Sequence, residues 1–141
     1  MENQIIIKGR CLCSKVQLSL SVEEKTFDVC HCSMCRRWSG GPALAVHAKN
    51  GVQFQNEQDV KIYSSSDWAE RGFCQHCGTH LFYRLKNGQF INVPLGILDD
   101  QSGFQFTTQI YVDNKPACYS FSNETKMMTE ADVLKTFGVS E

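Results

Sequence analysis

The chain has 141 residues, 42% of them apolar, enough for one hydrophobic core, so one domain is the natural count. Its formal net charge is −1. A balance this close to neutral leaves no basic field to attract nucleic acid or an anionic membrane, and the expected partners are small molecules.

In chain order, Met1 to Arg10 carries Glu2, Lys8 and Arg10 around three consecutive isoleucines, which is no secretory h-region and far short of a membrane span. Cys11-Leu12-Cys13 follows, the first of three tight clusters that hold seven of the eight cysteines. Val16 to Val22 then alternates apolar and polar residues with period two, the mark of a half-buried strand. The second cluster, Cys30-His31-Cys32-Ser33-Met34-Cys35, is predicted to pass through a turn at Ser33 and Met34. Ala43 to Ala48 and Val60 to Tyr63 predict further strands. In the third cluster, Cys74-Gln75-His76-Cys77, the next residue is Gly78, expected where a metal knuckle bends its backbone N–H groups toward sulfur. Leu81 to Leu85 and Gln89 to Val93 flank Lys86-Asn87-Gly88, where Asn-Gly predicts the positive φ angles of a tight hairpin. Phe104 to Val112 predicts another strand, and Ser122 to Lys126 a polar connector. Thr129 to Gly138 predicts a short C-terminal helix, with Thr129 as N-cap, Ala131, Leu134 and Phe137 as apolar positions and Gly138 as the stop. The architecture is therefore expected to be mainly β, with residues 1–121 as a zinc-binding domain and 122–141 as a connector and helix packed on or near it.

The clustering of cysteine is the feature that carries chemistry. At about 6% of the chain, cysteine lies below the share typical of secreted disulfide scaffolds, and with no signal peptide a reducing cytoplasm is the expected location. C-x-C and C-x-x-C spacings suit chelation of one ion better than a framework of distant staples, although iron–sulfur and redox readings of C-x-x-C remain. Zinc takes four ligands in a tetrahedron, so two pairs and one triplet can make one closed four-cysteine site and one three-cysteine site with a vacancy. In an extended segment, residues two apart share a face, which places Cys11 with Cys13, and Cys30 with Cys32, at strand edges with Leu12 and His31 turned away. His31 is thus expected to be packed, or to support a ligand from behind, rather than to bind metal. Spacing does not say which pair partners which.

The runs Gly9-Arg10-Cys11-Leu12-Cys13, Cys30 to Gly40 (with Arg36-Arg37-Trp38-Ser39 after the triplet), Glu70-Arg71-Gly72-Phe73-Cys74-Gln75-His76-Cys77-Gly78-Thr79 and Leu95-Gly96-Ile97-Leu98-Asp99-Asp100 closely resemble the glutathione-dependent formaldehyde-activating enzyme family, whose eukaryotic relatives include centromere protein V. The resemblance covers about residues 5 to 120. It implies a single compact Mss4-like β domain of antiparallel sheets and zinc knuckles. It also implies a structural zinc on Cys11, Cys13, Cys74 and Cys77, and a second zinc on Cys30, Cys32 and Cys35 with an open fourth position where the family's chemistry is placed. The family's named reaction joins glutathione and formaldehyde to give S-hydroxymethylglutathione, formally a carbon–sulfur lyase run in reverse.

The residues are compatible with that reaction. Three thiolates around a dication leave a net charge of −1, which makes zinc a weaker Lewis acid than three imidazoles would and disfavours a hydrolytic water, whereas exchange of the fourth ligand for a thiol suits a sulfur-rich site. A substrate thiol is expected to lose its proton there and attack an aldehyde carbon. Arg36 and Arg37 are candidates to bind a carboxylate of a glutathione-like tripeptide, with solvated surface arginines as the plain alternative, and Gly40-Gly41 offers backbone access for a ligand. Trp38 is expected in the core; His47, His76 and His80 are expected to be packed or exposed, and Asp99-Asp100 to form a turn. Cys118 departs from the large apolar residue common in the family, and were it to reach the triplet the second site would be closed. The alternative function is a zinc-stabilised protein-binding module with both metals structural. The absence of a basic extension, and a chain that stops soon after its core, favour the small-molecule enzyme.

Overall fold

Val16 to Val22 folds as its alternation requires: Leu18, Leu20 and Val22 are buried, Gln17 is exposed, and Ser19 and Ser21 are half-buried. Each large aliphatic side chain buried this way contributes roughly 1.5 to 3 kcal/mol. The computed structural model describes residues 4–137; Glu2 and Gly138, named above, lie outside them. Among the described residues the elements are, in chain order, β1 (Ile5–Arg10), β2 (Gln17–Val22), β3 (Thr26–Cys30), α1 (Ser33–Ser39), β4 (Ala43–His47), β5 (Val52–Gln55), β6 (Val60–Ser64), β7 (Ala69–Cys74), β8 (His80–Leu85), β9 (Ile91–Pro94), β10 (Gln105–Ile110), β11 (Lys126–Met128) and α2 (Glu130–Phe137). The protein is mainly β, and no described helix is long and apolar enough to cross a membrane.

The chain divides into two compact units, each assembled from two stretches: Met1–Lys25 with Val46–Gly103, and Thr26–Ala45 with Phe104–Glu141. In the first unit β1, β2 and β5 form an antiparallel sheet in that order, and β6 to β9 pair as an antiparallel meander. Phe54 of β5 meets Phe82 of β8 with ring centroids 5.5 Å apart, and Leu81 and Val93 are fully buried. The turn between β8 and β9 is wider than the Asn-Gly pair predicts. Leu85 N–H donates to Phe90 O at 2.9 Å, only Gly88 of the pair takes a positive φ (+80°), and the Asn87 side chain accepts from Gln89 N–H at 2.9 Å. With more residues in the loop, one left-handed position suffices where the two-residue turn needs two.

In the second unit β3 pairs antiparallel with β4 but parallel with β10, and β10 pairs parallel with β11. The antiparallel expectation therefore holds for the first unit and for β3 with β4, and not for the other two pairs. Parallel neighbours need a crossover instead of a hairpin, and β3 reaches β10 only after the chain has passed through the first unit, a connection no local spacing announces.

The expected turn at Ser33 and Met34 is the first turn of a helix. Cys32 is its N-cap, its sulfur accepting from Cys35 N–H at 3.3 Å, and Gly40 closes it in the left-handed conformation (φ +79°) with its N–H on Arg36 O at 2.8 Å. Seven residues are too few for a helical apolar stripe to register in the sequence. One hydrophobic cluster of this unit is made of Cys30, Cys32, Cys35, Tyr111, Met128 and Val133, so the triplet's side chains are part of its packing.

Helix α2 begins where Thr129 predicts. Thr129 Oγ1 accepts from Asp132 N–H at 3.2 Å while Asp132 Oδ2 accepts from Thr129 N–H at 2.9 Å, a reciprocal capping box. Among the residues whose side chains are described, Val133 is buried, Leu134 half-buried and Ala131 exposed; the Phe137 side chain lies outside them. Thr129→Ala is expected to lower stability by about 1 kcal/mol, measured as a shift in the urea midpoint at unchanged slope.

Candidate metal centres

Strand β1 delivers Cys11 into a tight turn, not a strand edge. Cys11 N–H donates to Val16 O and Ser14 N–H to Cys11 O, each at 3.0 Å, and Ser14 takes a positive φ of 69°. Val16 N–H then points at Cys11 Sγ, 3.3 Å away. The second half of this site leaves the end of β7. Gly78, with φ +81°, returns its N–H to Cys74 O at 2.8 Å, and His76 N–H reaches Cys74 Sγ at 3.4 Å, the knuckle that Gly78 predicts. Thr79 joins the two halves: its Oγ1 accepts from Leu12 N–H at 3.0 Å and lies 3.2 Å from Cys77 Sγ. Thr79 stands in the sequence as the residue after Cys-Gly, but its role needs the two turns brought together.

The sulfurs of Cys11, Cys13, Cys74 and Cys77 all lie within 4.8 Å of one another. Four sulfurs about 2.3 Å from one zinc would be spaced about 3.8 Å apart; Cys11 to Cys13 is 3.6 Å and Cys13 to Cys74 is 3.8 Å. The group fits a tetrahedral ion. Its electrostatics agree. Burial pushes the Cys77 thiol up, but hydrogen bonds from the Thr79 hydroxyl and amide and from the Cys13 amide outweigh it and bring it down to about 5. At Cys13 the Lys15 amide favours the thiolate, yet burial and the three neighbouring sulfurs push it up to about 11. Four crowded thiols cannot all ionise unless a cation sits among them.

The second group is Cys30, Cys32 and Cys35, whose sulfurs likewise lie within 4.8 Å of one another. Cys30 is the last residue of β3, Cys32 caps α1, and Cys35 lies in its first turn. All three are buried. The Cys32 and Cys35 sulfurs, with burial, push the Cys30 thiol well above its usual range. A divalent ion would have to displace protons here, so metal retention is expected to weaken as pH falls. Cys118 is exposed and does not join the group.

The other sequence candidates separate clearly. Arg36 is half-buried, donating Nε–H to His31 O at 2.8 Å and Nη2–H to Asn114 O at 3.2 Å, whereas Arg37 is exposed. His31 has no exposed surface, and its Nδ1 and Nε2 are hydrogen-bonded to Tyr119 Oη and Gln109 Oε1, each at 2.8 Å. His47 stacks on Phe90 at 4.5 Å, and His76 pairs with Asp59 at 3.0 Å on the surface. Burial and the charge of Arg71 lower the basicity of His80. Asp100 Oδ1 accepts from Ser102 N–H and Oγ–H at 3.0 and 2.7 Å, the turn expected there. An open groove of about 610 Å³ runs from Arg36, Gly40 and Gly41 of α1 and its cap to Cys118, Tyr119 and Phe121. Arg36 therefore faces the groove, while Arg37 is not among the residues that line it.

Residues 6–114 match the model of the glutathione-dependent formaldehyde-activating enzyme family. The chain belongs to this family. A lyase of Schizosaccharomyces pombe, itself uncharacterized, is 37% identical over 134 residues, covering 92% of this chain and 95% of its own. A protein of Halomonas elongata, provisionally named a glutathione-dependent formaldehyde-activating enzyme, is 25% identical over 87 residues and covers 55% of each chain. The crystal structure of a Rhodobacter sphaeroides protein shares the fold with a TM-score of 0.56 at 23% identity, covering 65% of this chain and 87% of its own. Among the described residues, two cysteine groups could hold metal ions.

Proposed function

We propose that this family member is a carbon–sulfur lyase that joins a thiol, glutathione by preference, to formaldehyde, or cleaves the resulting adduct, using zinc at Cys30, Cys32 and Cys35. The observation that carries the proposal is the unequal ligand count: four sulfurs converge in one group and three in the other, with Cys118 outside it. Zinc bound by three thiolates would supply, at its remaining position, the positive charge that lowers a substrate thiol's pKa and raises its nucleophilicity. The chain's own residues do the rest. Burial of the triplet excludes water from the sulfurs, and the groove beside α1 has room for a tripeptide. Arg36 is held in place by two backbone carbonyls, with N–H groups left over for a carboxylate. Cys11, Cys13, Cys74 and Cys77 hold the other zinc as a clamp on the first unit.

The test is zinc per chain followed by zinc-edge absorption with and without glutathione. Two zincs are expected, with sulfur coordination increasing at one of them when glutathione is added. Two zincs already coordinated by four protein sulfurs each, and indifferent to thiol, would instead support a binding module with structural metals.

A further inference from the structure

Strand β6 ends its sheet and pairs on one side, with β7. Val60 stands opposite Cys74, Ile62 opposite Gly72 and Ser64 opposite Glu70, with no shift of register. Just before the strand, Gln75 N–H donates to Asp59 O at 2.9 Å, so the Asp59 carbonyl faces β7 and, by alternation, so do the backbone groups of Lys61 and Tyr63. Those of Val60, Ile62 and Ser64 therefore point out of the sheet edge. Val60 N–H turns back to Glu57 O. Among the described residues, no backbone group bonds those of Ile62 and Ser64.

An open edge is a template for another strand, and proteins commonly close it. The edge of β1 is closed in this way: Lys8 O accepts from Asp99 N–H at 2.8 Å, and Gly9 bridges Leu98. β6 has neither proline nor bulge, and Ile62 and Tyr63 are 45% and 55% exposed. The residue that would blunt this edge is Lys61, which is also exposed.

The strand is complementary to itself under a two-fold axis. Antiparallel pairing of two copies on Ile62 makes the two isoleucines a hydrogen-bonded pair, each N–H reaching the other's C=O. The next pair is Val60 with Ser64 of the second copy. There Ser64 N–H reaches Val60 O, once on each side of the axis, and the Val60 N–H already held by Glu57 is not needed. On one face Lys61 comes opposite Tyr63 of the second copy, an ammonium beside an aromatic ring, so the blunting charge gains a partner. On the other face the strand's two ends differ in charge. Lys86 Nζ donates to Ser64 Oγ at 2.6 Å, whereas Glu57 lines, with Val60, Ile62, Phe54 and Phe82, a cavity of about 150 Å³. The two-fold sets the Lys86 end of each copy against the Glu57 end of the other.

We propose that β6 is a homodimer interface, in which two copies of this chain pair antiparallel about Ile62. A second copy is the partner because its own strand supplies the register, the ring for Lys61 and the opposite charge at each end. The contact is isologous and small, five residues a side, which places it among weak, reversible interfaces with an expected dissociation constant of about 10 to 100 μM. It does not depend on the chemistry proposed for the cysteines.

Sedimentation equilibrium of the zinc-loaded full chain, from about 5 μM to about 1 mM, tests it. The average mass is expected to climb from monomer toward dimer across that range. Ile62→Lys is expected to stay monomeric with an unchanged thermal transition. Ser64→Pro removes an outward N–H and leaves the bonds to β7 in place, and is expected to weaken the dimer about ten-fold. Glu57→Lys and Lys86→Glu are each expected to weaken it about five-fold, and the two together to restore it to within about two-fold of wild type. A wild type that is monomeric at about 1 mM overturns the proposal, as does a dimer left intact by Ile62→Lys and Ser64→Pro. Single charge variants that both dimerise like wild type overturn the register and the proposal with it.

Discussion

Cys74→Ser is expected to release one metal equivalent and to collapse the first unit. Cys74 is fully buried at the end of β7, its sulfur accepting from His76 N–H and lying 3.8 Å from Cys13 Sγ. Removing one sulfur of four withdraws a charged ligand and leaves three crowded thiols to share a weakened ion or none. Structural zinc sites contribute apparent free energies of about 10 to 16 kcal/mol at neutral pH. Whole domains are stable by only about 5 to 15 kcal/mol. A loss of even a third of the metal's contribution is therefore a large share of the total. Native mass spectrometry should find one zinc fewer, and the thermal transition should fall by about 15 °C or vanish into aggregation. Retention of both metals with an unchanged transition would show that this group does not close the fold.

Cys35→Ser is expected to do the opposite, abolishing activity while keeping the fold. Cys35 belongs to the smaller sulfur group, and serine preserves its volume and the backbone N–H that α1 gives to Cys32 Sγ. The cost to stability is that of a buried hydroxyl, about 1 to 3 kcal/mol at most. The cost to catalysis is larger, because electrostatic stabilisation by a metal is worth several kcal/mol, and about 4 kcal/mol is about a thousand-fold in rate. Exchange of glutathione with its hydroxymethyl adduct should drop by that order, with one zinc lost and β-sheet circular dichroism retained. Equal unfolding of Cys35→Ser and Cys74→Ser would mean that both metals are structural.

Legibility in the sequence followed locality. The alternation of β2, the Cys74 to Gly78 knuckle and the Thr129 cap were readable because the interactions that make them span only a few residues. The helix α1 was not, since its seven residues overlap the cysteine triplet and its cap is a cysteine, a residue with no strong capping signature. The hairpin after Leu85 was recognised but its turn was not, because Asn-Gly is compatible with more than one loop length. His31 was read as packed rather than ligating, and it is buried; its partners Tyr119 and Gln109 lie 88 and 78 residues away and had no signal.

The sequence by itself determined the presence of three cysteine clusters, the mainly β character and the chemistry open to a sulfur-rich site, since these depend on residue type and near spacing. The family resemblance implied that Cys11 and Cys13 partner Cys74 and Cys77; only the tertiary structure decided that their sulfurs close to within 4.8 Å of one another, that Cys118 stays out of the triplet, that β3 runs parallel to β10, and that the buried His31 bonds Tyr119 and Gln109. Each of these is a contact across tens of residues, where the free energy is gained by packing and hydrogen bonding between segments whose local preferences carry no record of one another.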